Sequence, residues 1–170
     1  MQLSNKRIKA NGRIVAAQAD SNPAFAAYYD LLTDETGATR RLGMTVTVAE
    51  RERQLVVARD EENMWMITDH QGESRAAYDG ALDVDVVFSP FFNALPIRRV
   101  GLNKRAESVT VSTIYVTLPD MTVASAPISY SSAAVDSGEG IRVHSPVPDT
   151  TLTVDADGFI VDYPGLAERI

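Results

Sequence analysis

Residues 82–102 read LDVDVVFSPFFNALPIRRVGL, an alternating strand that runs directly into a capped and almost wholly apolar helix. Leu82, Val84 and Val86 alternate with Asp83 and Asp85, so one strand face carries aliphatic side chains and the other carries both carboxylates. Ser89 followed by Pro90 has the residue types of an N-cap and first helical position. Phe91, Phe92, Ala94, Leu95, Ile97 and Val100 then cover most of the helical circumference with apolar groups. Such a helix has to be surrounded. Pro96 has no N–H for the Phe92 carbonyl and disfavours the helical region at Leu95, which predicts a kink there or a break into two turns.

Working outward, the chain is dominated by period-two patterning with turn signals about every ten residues, the pattern of an antiparallel sheet folded on itself. Candidate strands cover 13–19, 25–32, 38–48, 54–59, 64–68, 75–78, 82–88, 109–118, 122–130, 141–144, 150–154 and 159–163. Asp34–Gly37, Asp60–Asn63, His70–Gly72 and Asp155–Gly158 place Asp, Asn or Gly where hairpin turns need them. Residues 23–32 contest this pattern. Asn22–Pro23 followed by apolar residues at helical spacing reads as helix as readily as strand. The Ser-, Ala- and Gly-rich residues 129–140 read as an exposed loop or a poorly specified edge.

Length and composition bound the function. The 170 residues suffice for one domain with a real core, and 45% hydrophobic with 23% charged residues lies in the ordinary globular range. No run approaches the roughly 20 apolar residues of a spanning helix. The basic N-terminal residues are followed by no apolar segment of a secretory signal, so a cytoplasmic location is expected. Residues 1–12 read as a flexible solvated arm. A net charge of −7 argues against nucleic acid as a partner, and the absence of Cys removes disulfides, thiol nucleophiles and thiolate metal sites together.

Asp83, Asp85, Arg98 and Arg99 are the first candidates for a site, because an enclosed helix carries an arginine into a dry interior where it must find a carboxylate. Adjacent helical residues diverge by about 100°, so the two arginines cannot serve one site. One reading pairs Asp83 or Asp85 with Arg98 or Arg99 as a structural lock. The other leaves an arginine free to grip an anionic or sugar head group. Asn93 sits where its amide can cap the second turn or act as a ligand donor. Trp65 and the tyrosines Tyr28, Tyr29, Tyr78, Tyr115, Tyr130 and Tyr163 either pack between strands or line an apolar cavity with polar rims.

Catalytic readings are weaker. His70 and His144 form no metal-binding spacing, no cofactor motif is present, and the elbow of serine hydrolases and the phosphate-binding loop are both missing. Asp83 and Asp85, about 7 Å apart on one strand face, keep a hydrolase acting on glycosidic bonds as a minor alternative. The D-A-D-G turn at 155–158 is similar to a calcium loop but lacks its downstream Glu, and a hairpin turn explains it.

The D-V-D of Asp83–Asp85, the S-P-x-x-N-x-L-P-I-R-R of Ser89–Arg99, the L-P-D-M-T-V of Leu118–Val123 and the closing segment Gly158–Tyr163 together resemble the putative glycolipid-binding family of bacterial proteins. The chain departs from the family's usual residues at Tyr115, where Trp is common, and at Leu118, where Phe is common. The resemblance implies a homodimer whose strongly curved antiparallel sheet, a β-roll or half-barrel, wraps around a single central helix. It also implies a strand at residues 23–32. The function implied is non-enzymatic binding of a glycolipid or other lipid-like ligand without a cofactor. The cavity between sheet and helix would offer Arg98, Arg99, Asn93, Asp83, Asp85, Trp65 and Tyr115 as contacts. The competing expectation is a structural or protein-interaction homodimer whose filled core holds no ligand.

Overall fold

The structure, a computed structural model, describes residues 1–4, 6–19, 22–133, 139–146 and 149–170. Two seven-stranded sheets make up the body. The first runs in sequence order through β1 (Gln2–Ser4), β2 (Arg7–Ala16), β3 (Phe25–Thr33), β4 (Thr39–Val48), β5 (Arg51–Arg59), β6 (Trp65–Asp69) and β7 (Gly72–Ala76). The second contains β8 (Asp83–Val86), β9 (Glu107–Val116), β10 (Val123–Ser132), β11 (Ile141–His144), β12 (Thr150–Val154), β13 (Ile160–Tyr163) and β14 (Ala167–Glu168), again in order. The fold is thus mainly β, a curled half-barrel, as the patterning predicts. Of residues 23–32, Phe25 onward is strand: the side chains alternate between buried and more exposed across β3, which the period-two reading requires and the helical one forbids.

One pair breaks the antiparallel rule. β8 and β9 run parallel, with Asp83 opposite Thr113 and Asp85 opposite Tyr115. A parallel pair needs a crossover rather than a hairpin, and the helical segment supplies it. That segment is a 3-10 turn, Pro90–Asn93, continued by α1 (Ala94–Val100). The predicted break at Pro96 is therefore displaced. Pro96 is the third residue of α1, in the first turn where a missing N–H loses no intrahelical bond, and Leu95 stays helical. The change of helix type falls between Asn93 and Ala94 instead. Gly101 ends α1 in the left-handed region at φ 87°, where its N–H and that of Leu102 both reach the Ile97 carbonyl at 2.9 Å.

The rod is enclosed. Phe92 and Leu95 pack into a core with Tyr29, Leu31, Leu42 and Trp65 of the first sheet, and Ile97 and Leu102 pack with Ile128, Tyr130 and Leu152 of the second. Fully burying each such side chain is worth about 1.5–3 kcal/mol, so this crossover plugs both halves of the molecule. The Phe92 ring lies 5.1 Å from that of Tyr29 and 5.7 Å from that of Phe91.

Residues 1–12, expected as a free arm, instead form β1 and the first half of β2. Ile8 and Ala10 are buried between exposed Arg7, Lys9 and Asn11, an alternation that the clustered basic residues concealed. Of residues 129–140, expected as a loop, 129–132 complete β10 and 134–138 lie outside the described residues. No helix among the described residues is long and apolar enough to cross a membrane.

Candidate functional site

The strand β8 carries two carboxylates into different surroundings. Asp83 is fully buried, and Arg99 from the last turn of α1 grips it with Nη2 at 2.6 Å and Nε at 3.2 Å. Burial pushes the Asp83 carboxyl upward, and the guanidinium beside it pulls back. The structural lock read from the sequence is therefore this pair. Arg98 diverges as helical geometry requires. Its guanidinium sits 4.3 Å from the Phe159 ring centre and donates to the Asp157 carbonyl. The D-A-D-G segment it touches is a hairpin turn, with Asp155 Oδ1 accepting from the Asp157 and Phe159 amides.

Asp85, two residues on, is 8% exposed and has no cationic neighbour among the groups that act on it. A backbone N–H, that of Val86, is its stabilising contact, and burial raises its carboxyl to about 7. It lines a half-open cavity of about 370 Å³ between β8, the start of the helical segment and the turn after β13. Asn93, Tyr115 and Tyr163 line the same cavity. Both tyrosines are pushed up, by burial first and then by the charge of Asp85, which places their hydroxyls in its field.

The local sequence explains this geometry. After β8 the chain turns sharply, with Ser89 N–H bonded to the Val86 carbonyl at 3.1 Å and Phe88 at φ 67°. A non-glycine residue in that region costs about 1–3 kcal/mol, and such strain concentrates at functional sites. Here it leaves the Phe88 ring 46% exposed at the cavity mouth, 6.2 Å from the Phe25 ring. Leu166, 40% exposed, faces the cavity from the turn Pro164–Gly165 that closes β13. Buried Asp85, Asn93 and Tyr163 thus share the cavity with exposed apolar Phe88 and Leu166, and the exposed Asp149 joins these at the rim. A second, shallower groove of about 510 Å³ shares Pro90 and continues over Leu3, Phe91 and Phe159.

Two expected caps are absent. Ser89 makes no side-chain bond to the helix amides, because its hydroxyl is hydrogen-bonded to Tyr29. Asn93 already has helical φ and ψ and caps nothing; its Oδ1 accepts from the Tyr130 hydroxyl at 3.0 Å in the buried interior.

The structure brings Asp85, Asn93 and Tyr115 of the expected site residues into one cavity. It places Asp83, Arg99, Arg98 and Trp65 elsewhere. Trp65 is fully buried, with its Nε1 donating to the Ala81 carbonyl at 2.9 Å and Arg59 packed 5.9 Å from its ring. Tyr163, one of the tyrosines read as possible cavity lining, joins the cavity, as do Phe88 and Leu166, which the sequence reading did not single out. The Pro-Gly turn with an apolar residue after it, at 164–166, is a sequence signal by which this part of the lining can be found.

The model of the family described as "Putative glycolipid-binding" matches residues 1–169. The chain belongs to that family. In solved structures it is similar to a DUF1089 family protein from Pseudomonas aeruginosa, with a TM-score of 0.77 and 25% identity over 99% of this chain and 89% of that one. No curated protein matches it. The matched residues take in the whole body described above, including the residues that line the Asp85 cavity.

Proposed function

We propose that the protein is a non-enzymatic binding protein for a lipid-like amphipathic molecule, of the glycolipid kind that the family's name suggests. The head group enters the cavity beside Asp85, Asn93, Tyr115 and Tyr163. The apolar part leaves over Phe88 and Leu166 and follows the groove that shares Pro90. The observation that carries this reading is the polarity gradient: buried polar groups at the floor of a cavity of ligand size, and solvent-exposed large apolar side chains at its mouth.

A hydrolase built on Asp83 and Asp85 loses support from the same geometry. Hydrolysis of a glycosidic bond needs two available carboxyl groups, and Asp83 is sealed in its bidentate pair with Arg99. A filled-core interaction protein is disfavoured by the cavity. In the proposed reading the protein works in the cytoplasm as a homodimer, which sedimentation tests as twice the 18.5 kDa chain mass.

Native mass spectrometry of protein from its own source is expected to show a co-purifying lipid-like mass. Leu166→Glu, at the exposed mouth, is expected to weaken binding of a fluorescent alkyl probe by about tenfold with an unchanged melting temperature. Unchanged probe affinity would contradict the proposed ligand path.

A further inference from the structure

We infer that the head group taken by the Asp85 cavity is a protonated amine, so that the ligand is a cationic amphiphile. This rests on the binding reading above and narrows it. Among the described residues, the charged ones lining the cavity are Asp85 and, at the exposed rim, Asp149, and no Lys or Arg lines it. Asp149 is exposed and hydrogen-bonded to His144 Nδ1 at 2.5 Å, which leaves Asp85 as the buried carboxylate of the cavity, with no cation among the groups that act on it.

The groups around Asp85 supply no cation. Tyr115 faces it from β9, Tyr130 from β10 and Tyr163 from β13, all neutral phenols pushed upward partly by its charge. Asn93 lies on the helical segment, and Asp83 on the same strand has its charge balanced by Arg99. A buried carboxylate in such surroundings is poorly stabilised until a cation arrives. A protonated amine supplies it. An anionic head would meet two carboxylates and nothing opposite. A neutral sugar does not balance the charge of the ionised carboxyl, the form that prevails at pH 8.

The carboxyl titrating near 7 adds a direction. An amine binds the ionised form, so its affinity rises as pH increases from 5 to 8, and binding at neutral pH releases a proton from Asp85.

The test is calorimetric titration of the intact protein at pH 8 with a series sharing one tail: octylamine, octyl glucoside and octanoate. The amine is expected to bind about tenfold or more tightly than the glucoside, and the preference should vanish in Asp85→Asn. Equal or weaker amine binding in the wild-type protein overturns this inference while the binding reading stands. Failure of every octyl compound to bind overturns both. The head-group series needs no variant, so a poorly folding Asp85→Asn protein does not blunt it.

Discussion

Asp83 and Asp85 point from one strand face, two residues apart, yet the Asp83 end of β8 is closed and the Asp85 end is open. At the closed end, Arg99 from the crossover helix neutralises a fully buried carboxylate with a forked contact. At the open end a carboxylate without a cation faces a cavity, and the backbone beyond it is strained at Phe88. The first arrangement holds the central helix against its preceding strand. The second is expensive in a folded protein and makes sense where a ligand completes it.

The sharpest way to break this comparison is to empty the closed end. Asp83→Ala strands the mostly buried Arg99 guanidinium, and denaturant unfolding should show a loss of about 3–5 kcal/mol. A loss below about 1 kcal/mol would mean that the pair is solvated.

The open end should respond with the opposite sign. The Asp85 carboxyl is raised from 3.8 to about 7 in the folded protein, so its unfavourable ionisation begins above pH 4 and is complete above pH 7. Asp85→Asn should therefore be close to neutral for stability at pH 4. At pH 8 it should stabilise the protein by up to about 4 kcal/mol, a shift of some three units at about 1.4 kcal/mol each. Parallel unfolding curves of wild type and variant from pH 4 to 8 check the divergence. A constant difference would contradict it.

Between the two ends, Tyr130→Phe removes the hydroxyl that donates to Asn93 Oδ1 and leaves a buried acceptor unpaired. The expected cost is about 1–3 kcal/mol in the same unfolding assay. Far from both, Ser131→Ala deletes an exposed hydroxyl pair with Ser108, and the change should stay within about 0.5 kcal/mol.

The apolar run 91–100 made enclosure of the helix legible, because a rod greasy on all sides has no stable place at a surface. The strand at residues 25–33 was not legible in its own spacing, which fits a helix as readily; the family resemblance implied it. The Asp83–Arg99 pair followed from burial and charge, although the choice between Arg98 and Arg99 needed the three-dimensional phase of the helix. Asn93 was misread as a cap because its partner, Tyr130, lies 37 positions away on β10. Arg59 escaped notice for a similar reason: the carboxylate that lets it be buried, Asp34, lies 25 positions away, although Asn63 and Trp65 beside it are near in sequence. The asymmetry between the two aspartates was likewise invisible, since it depends on where α1 ends and on the turn that brings Tyr163 and Leu166 across the sheet.

The central claim is that Asp85 is buried at the side of a half-open cavity with no cation among the groups that act on it. Carbon-detected NMR titration of its side-chain carboxyl in the ligand-free protein measures this directly. The account predicts a transition near pH 7. A transition near pH 4, in the ordinary carboxylate range, would mean that water or a cation already satisfies Asp85, and the case for a ligand site there would fail.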